Sequence, residues 1–457
     1  MLYRLLRWIT RVALRWFYRD VEVNGLERIP AEGPVLLAVN HPNALVDALV
    51  VGDILPRELV LTAKATLFEH PVLRALFRWV KIIPLRRVTD ETKRNPAAAP
   101  DAARNVDAFR AILDALADGE AVLIFPEGRS HNEPSLAPLR TGLARIALQA
   151  RHERGIRGIS IVPVGLTFER KWRPRTRIFV HVGDPIALDE WHPRDVSAPV
   201  DSLMLDVDTA LRAATLNFAS PEDAERVLGL SRLLAGAFDR ARPLGSPDAP
   251  LASEVEIVRR IVAVERSLPP SAAERASHFL ARLEALRQEL LTRRIAVSDV
   301  AISPALVPGA RFGVREGMLV ALTGPIALWG RVNHWIPLTL ARWIARRQSK
   351  SPEDPAMYTL VVGLALVIIA YVVQTAIVAR FFGGWWATVY LLSLPLAATW
   401  DIRFRDRLWR AGKRMRTYFQ YRRDASLRPR LQQELAWLRN EALAIEQMAE
   451  GELVAPR

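Results

Sequence analysis

Apolar positions along this chain follow three rhythms, each confined to its own stretch. From about residue 21 to 190, short apolar runs alternate with segments of helical spacing, the mark of an α/β domain built on a mixed sheet flanked by helices. Runs at 35–39, 59–63, 81–84, 121–125, 159–164 and 177–182 predict strands, and helices are predicted over 44–55, 71–80, 102–117 and 141–152. From 191 to about 315, Ala, Leu, Arg and Glu recur at helical spacing, with breaks at Pro243-Leu244-Gly245-Ser246-Pro247 and Pro269-Pro270. That predicts a helical insert, in which the heptad-like spacing over 279–291 reads as plain helix packing. A further charged, amphipathic helix is predicted in the tail, 417–457.

The third rhythm, over 316–416, is that of a membrane-associated region. Residues 359–379 are 21 positions without a charge, enough for a helix of about 30 Å, the thickness of a hydrocarbon core. A turn at Gly383-Gly384 leads to a shorter uncharged segment, 385–400, containing Pro395. Before the pair stand Arg342, Arg346, Arg347 and Lys350; after it come Arg403, Arg405, Arg407, Arg410, Lys413, Arg414 and Arg416. Only Arg380 lies in the connection, so the positive-inside rule places both ends of the hairpin 359–400 on the cytoplasmic side. The apolar stretch 318–341 is interrupted by Arg331, Asn333 and His334 and reads as interfacial or re-entrant. At the other end, residues 1–20 carry Arg4, Arg7, Arg11, Arg15 and Arg19 along one helical stripe, opposite Leu5, Trp8, Ile9, Val12 and Trp16. That is the pattern of a helix lying in a headgroup region.

Composition narrows the partners. The 457 residues carry a formal net charge of +14, which calls for an anionic partner, either nucleic acid or an anionic membrane. The basic residues cluster beside apolar segments rather than among stacking aromatics, which favours the membrane over nucleic acid. There are no cysteines, which excludes disulfides, thiolate metal sites and a cysteine nucleophile.

The candidate chemistry sits where two apolar runs end. The run 35–39 empties into Asn40-His41-Pro42-Asn43-Ala44-Leu45-Val46-Asp47, and the run 121–125 into Pro126-Glu127-Gly128-Arg129-Ser130-His131. A histidine serves as a general base when a carboxylate fixes its tautomer and stabilises the imidazolium. Six residues apart on one helix, His41 and Asp47 would point about 120° away from each other, so His41 must lie in the loop before the helix. Pro42 fits, because it opens helices and disfavours helical geometry at the preceding residue. Glu127 offers a second carboxylate, Gly128 a backbone that a ligand can approach, and Arg129 a guanidinium for phosphate. Lys64, Arg86, Arg87 and Arg140 follow other predicted strands or precede a helix and extend a candidate anion pocket. A base–carboxylate pair beside such a pocket suits acyl transfer to a phosphate-bearing alcohol.

In four blocks, taken in order, the chain resembles the glycerolipid acyltransferase superfamily, which includes glycerol-3-phosphate and lysophosphatidic acid acyltransferases. Residues 40–47 resemble its His/Asp block, 81–87 the block ending in an arginine (here Arg87), 125–130 the Phe-Pro-Glu-Gly block, and 161–168 (Ile-Val-Pro-Val-Gly-Leu-Thr-Phe) the fourth. Two features depart from the usual pattern: five residues rather than four separate His41 from Asp47, and Glu127-Gly128 continues Arg129-Ser130-His131 rather than Thr-Arg. Both are similar to a branch that includes fungal glycerol-3-phosphate/dihydroxyacetone-phosphate acyltransferases.

The resemblance implies catalysis by His41 and Asp47, with acceptor and phosphate binding by Lys64, Arg87, Glu127 and Arg129; Gly128 and Arg140 join them on the reading of the residues above. It implies a glycerol-3-phosphate or lysophospholipid acceptor and an acyl-CoA or acyl carrier protein thioester as donor, with no metal and no cofactor. The expected location is a cell inner membrane, with the catalytic domain on its cytoplasmic face. The alternative is an inactive, membrane-anchored scaffold with an acyltransferase-like domain.

Overall fold

A computed structural model describes residues 2–65, 82–85, 105–171, 173–238, 250–348 and 354–454. The chain divides into two compact units: residues 1–219 with 344–362, and residues 220–343 with 363–457.

The first unit is built on a mixed sheet. Its strands are β1 (Asp20–Asn24), β2 (Val35–Val39), β3 (Leu59–Lys64), β4 (Ile82–Leu85), β5 (Ala121–Ile124), β6 (Ser160–Phe168), β7 (Arg177–Val182) and β8 (Ile186–Ala187), in the order β1-β7-β6-β2-β5-β3-β4, with β8 on β6. β2 runs parallel to both of its neighbours, β5 and β6, and β3 and β4 continue the parallel half. All five residues of β2 and all four of β5 are buried, the continuous apolar run of a parallel sheet covered on both faces.

Alternate side chains serve the two faces. Leu36, Ala38, Val122 and Ile124 pack with α3 (Val106–Ala117), α4 (Gly142–His152) and α5 (Pro199–Ala214) through Ile112, Leu116, Leu143 and Leu203. Val35, Leu37, Val39 and Leu123 pack with α1 (Leu2–Phe17) and α2 (Leu45–Ile54) through Leu14, Val46 and Val50.

The structure corrects several boundaries. β1 has no counterpart among the expected strands because its Asp-Val-Glu-Val-Asn run is half exposed at the sheet edge, where burial imposes no apolar pattern. β6 extends past 164 to Phe168 because, beyond its parallel pairing with β2, it pairs antiparallel with β7. α5 belongs to the sheet domain rather than to the helical insert: Leu203, Val207 and Leu211 are buried, and the unit boundary falls after 219 instead of 190. The helix expected over 71–80 lies outside the described residues.

The arginine stripe of α1 is divided. Arg7 donates to the carbonyls of Asp53 and Leu55 at the end of α2, a favourable place for a cation. Arg11 pairs with the Asp53 carboxylate at 2.7 Å. Leu14 and Phe17 are buried against the domain, while Leu5 and Trp8 stay exposed. Arg7 and Arg11 are therefore bonded to the protein itself.

The second unit is helical. α6 (Pro221–Phe238), α7 (Leu251–Ser267), α8 (Ala273–Arg293) and α12 (Leu427–Val454) share a core containing Leu234, Leu283, Leu286, Leu290, Leu431 and Leu438. The apolar repeat over 279–291 is thus intramolecular packing. α9 (Leu306–Gln348) is one continuous helix through Pro325 and Pro337, so the chain does not turn back within 318–341 as a re-entrant segment would. α10 (Asp354–Phe382) and α11 (Gly384–Arg423) are joined at Gly383, whose φ of 84° suits glycine.

Within this unit these three helices meet through polar groups. His334 bonds the Tyr371 hydroxyl at 2.7 Å, Tyr390 donates to Asn333 at 2.5 Å, and Trp329 donates to Ser393 at 3.1 Å. Gly330 lies so close to α11 that an added Cβ would stand 2.2 Å from the Ala397 carbonyl oxygen. Their outer surface is apolar, with Leu328, Trp335, Ile369, Val373, Leu392 and Leu396 exposed. Among the described residues, Pro355–Phe382 is the one stretch long and apolar enough to cross a membrane.

Candidate active site

Parallel pairing brings two strand ends side by side, with Ala38 in register with Ile124, so the loops after β2 and β5 leave the sheet together. Asn40 fastens the first loop: its side-chain amide donates to the Leu166 carbonyl and accepts from the Leu166 N–H at 2.7 Å. His41 lies in that loop, before the helix, as Pro42 requires. Asp47 lies in the first turn of α2. Their side chains meet, His41 Nδ1 to Asp47 Oδ2, at 2.9 Å. The pair is buried, with His41 7% exposed and Asp47 fully enclosed. The His41 ring also stacks on Phe125, with centroids 3.8 Å apart.

Asp47 Oδ2 accepts a second bond, from the Asn43 N–H at 2.7 Å. Burial pushes the Asp47 carboxyl above the ordinary carboxylate range, opposed by the His41 hydrogen bond, the His41 charge, the Asn43 N–H and the Lys171 charge. Asn43 is itself fully buried and donates to the Tyr18 hydroxyl at 3.0 Å and to the Lys171 carbonyl. Burial raises the Tyr18 phenol too, so Tyr18 stays neutral and serves as an acceptor.

The turn between base and carboxylate is strained. Val46 N–H donates to the Asn43 carbonyl, closing a turn whose first central residue, Ala44, has φ 48° and ψ −131°. That is the type II′ position where glycine is favoured, and holding a non-glycine residue there costs about 1–3 kcal/mol. The conformation places Asp47 one short turn beyond a loop histidine.

Glu127 does something different from what its position after a strand suggests. Its expected role is acceptor binding, but it is 3% exposed and both its oxygens are taken by the protein. Oε1 accepts the His41 N–H at 2.6 Å; Oε2 accepts from Ala137 N–H at 2.8 Å and bonds His131 Nε2. Burial raises its carboxyl, but the bonds from His131, Ala137 and His41 outweigh that and hold it below the usual glutamate range.

A carboxylate with a lowered folded pKa contributes stability that is present above its unfolded value and lost as pH falls through the folded one. Glu127→Gln should therefore lower the melting temperature at neutral pH, by weakening charge-assisted hydrogen bonds of about 1.5–3 kcal/mol each. Thermal unfolding of the two proteins should converge in acid, below the ordinary glutamate range. A gap that persists there would mean that shape, rather than charge, is what Glu127 supplies.

The basic candidates are spread out. Gly128 has φ 72°, a left-handed turn that glycine favours, and the Arg140 side chain lies against it: a Cβ at Gly128 would stand 3.3 Å from Arg140 Cγ. The Arg140 N–H donates to the Pro126 carbonyl at 2.7 Å, tying the entrance of α4 to the same loop. Arg129 is exposed and pairs with Glu133 at 2.5 Å. Lys64 closes β3, with its side chain outside the described residues, as are Arg86 and Arg87 entirely.

Sequence reasoning missed Tyr18, Asn43, Ser130, His131 and Lys171. Ser130 and His131 stand in the expected block without an expected role. Lys171 Nζ reaches Asn132 at 2.8 Å, a contact between loops with no spacing signal.

Part of the chain is similar to known proteins. Residues 20–167 match the family model described as Acyltransferase. The chain is 30% identical over 198 residues to glycerol-3-phosphate O-acyltransferase 2 of Saccharomyces cerevisiae, covering 42% of this chain and 25% of the yeast protein. It is 23% identical over 158 residues to the chloroplastic 1-acyl-sn-glycerol-3-phosphate acyltransferase BAT2 of Brassica napus, covering 35% of this chain and 40% of that one. A crystal structure of the 1-acyl-sn-glycerophosphate acyltransferase of Thermotoga maritima superposes with a TM-score of 0.34 at 19% identity, over 46% of this chain and 78% of the other. The chain thus spans less than half the length of the two curated relatives.

Proposed function

We propose that this chain is a membrane-bound O-acyltransferase of phospholipid synthesis, moving a fatty acyl chain from a thioester to a hydroxyl of glycerol-3-phosphate or a related glycerol phosphate or lysophospholipid. The observation that carries the reading is the buried His41–Asp47 pair at the end of the central strand, 2.9 Å apart. With Nδ1 engaged by Asp47, the proton-accepting atom is His41 Nε2. It takes the acceptor's hydroxyl proton as that oxygen attacks the thioester carbonyl, and Asp47 stabilises the imidazolium. Collapse of the tetrahedral intermediate breaks the carbon–sulfur bond, and the proton passes from His41 to the departing thiolate. The products are the ester and the free thiol of coenzyme A or acyl carrier protein. Each transfer conserves atoms, and no acyl-enzyme forms.

The acceptor's phosphate is assigned to the basic groups that follow the strands. Arg140 is favoured by its place against Gly128, with Lys64, Arg87 and Arg129 as further members. Glu127 braces the loop instead of meeting the acceptor, because its oxygens are already bonded. Arg87→Ala should raise the KM for the phosphorylated acceptor while leaving that for the acyl donor nearly unchanged. Losing a guanidinium that holds the acceptor's phosphate would cost about 2–5 kcal/mol. If donor saturation collapses and acceptor saturation does not, Arg87 holds the donor.

Membrane attachment is part of the proposal. It is supported by the apolar stretch Pro355–Phe382 and by helices that turn polar groups towards one another and apolar groups outwards. We read 359–400 as a hairpin, with α10 as its first crossing and the catalytic domain on the cytoplasmic face of an inner membrane. The test of activity is a product assay with purified full-length protein, one acyl-CoA and a panel of phosphorylated glycerol acceptors and lysophospholipids. A new ester on glycerol-3-phosphate or a lysophospholipid is expected. Turnover of none of them, with both CoA and carrier-protein donors tried, would falsify the reading.

A further inference from the structure

The loop that carries the base is held from outside by one short segment. Residues 127–131 meet it at three points: Glu127 Oε1 accepts the His41 N–H, the His131 N–H donates to the His41 carbonyl at 3.2 Å, and Ser130 Oγ accepts the Ala44 N–H at 2.9 Å. The first two pin the backbone of His41 on both sides of its Cα. The third grips the one residue of the loop with positive φ. Five residues separate His41 from Asp47, and the II′ turn at Ala44 is what takes up that length and returns Asp47 to the imidazole. An alanine does not hold φ 48° and ψ −131° by its own preference, so something else must hold it there.

We propose that Ser130 is a positioning residue for the reaction: its hydroxyl oxygen holds the strained Ala44 turn that sets Asp47 against His41, with Glu127 and His131 fixing the other end of the same loop. The inference rests on the reading of His41 as general base. The Ser130 hydroxyl is bonded to the Ala44 backbone N–H, and in this proposal it takes no part in proton transfer. Its effect is on the fraction of time the pair is assembled, and so on kcat rather than on either KM.

The experiment is a double-mutant cycle in the full-length protein: parent, Ser130→Ala, Ala44→Gly and the two combined, with Ser130→Thr as the conservative control. Glycine populates the turn without help, so Ala44→Gly removes the need for the Ser130 hydroxyl. Ser130→Ala should lower kcat about tenfold with both KM values nearly constant. Ser130→Thr should keep parent-like turnover. Added to the Ala44→Gly protein, Ser130→Ala should cost less than about threefold.

Hydrogen exchange of the 40–51 segment, read by mass spectrometry on the same proteins, should follow the same cycle: faster in Ser130→Ala and restored by Ala44→Gly. A Ser130→Ala protein with normal kcat overturns the proposal. So does a loss of equal size whether alanine or glycine occupies position 44, which would mean that Ser130 acts other than through the turn. Exchange reports on the loop whether or not the chosen acceptor is a substrate. Unaltered turnover in His41→Ala therefore sinks the functional reading, while the exchange cycle alone still decides whether Ser130 holds the turn.

Discussion

Replacing His41 with alanine should abolish acyl transfer, lowering kcat by about 10²–10⁴-fold, while the protein still folds and still sediments with membranes. The size follows from the geometry. The imidazole is the basic group beside the buried carboxylate, and the chain has no cysteine to offer another nucleophile. Asp47→Asn should be nearly as damaging for a different reason. Oδ2 alone accepts both from His41 Nδ1 and from the Asn43 N–H, so an asparagine oxygen in that place keeps both bonds but carries no charge to stabilise the imidazolium.

Stability should not follow activity in that variant. Burial raises the Asp47 carboxyl, so the fold loses stability as pH rises from the unfolded towards the folded value, and removing the charge removes that cost. Matched kinetics and thermal unfolding at neutral pH give the check. Near-parent turnover in His41→Ala removes the general base from the mechanism. A large drop in melting temperature for Asp47→Asn would make Asp47 a structural anchor.

The His41–Asp47 contact was legible in the sequence because two local rules converge: helical geometry keeps residues six apart from meeting, and Pro42 moves the first of them off the helix. The central strands were legible because burial on both faces leaves nothing but apolar residues in β2 and β5. What escaped depends on contacts between distant segments. Glu127 reads as a ligand-binding carboxylate at a strand end until the positions of His131 and Ala137 are known. The bonds of Arg7 and Arg11 to Asp53 and Leu55 span more than 40 residues, so no periodicity announces them, and α1 reads as a free amphipathic stripe. Ala44 shows the limit most clearly: nothing about an alanine in sequence signals a backbone conformation that favours glycine.

The substitution pair Ile369→Arg and Val373→Arg should separate a membrane-spanning α10 from an apolar helix of any other kind. Both residues lie near the middle of Pro355–Phe382, four positions apart and so on one face, and both are more than half exposed. If water covers that face, exchanging exposed apolar side chains for arginine is nearly neutral, within about 0.5 kcal/mol, and improves solubility. If lipid covers it, each arginine at the helix centre opposes insertion by about 2.5–3.5 kcal/mol. Full-length parent protein should then stay in the membrane fraction through high salt and carbonate, because hydrophobic insertion is not screened by ions. The double-arginine protein should instead be released by carbonate or fail to accumulate. Release of the parent by high salt alone would reduce its attachment to electrostatics, with the exposed Leu5 and Trp8 of α1 as the remaining apolar contacts. In that case α10 does not span, and the topology argued from the flanking arginines falls with it.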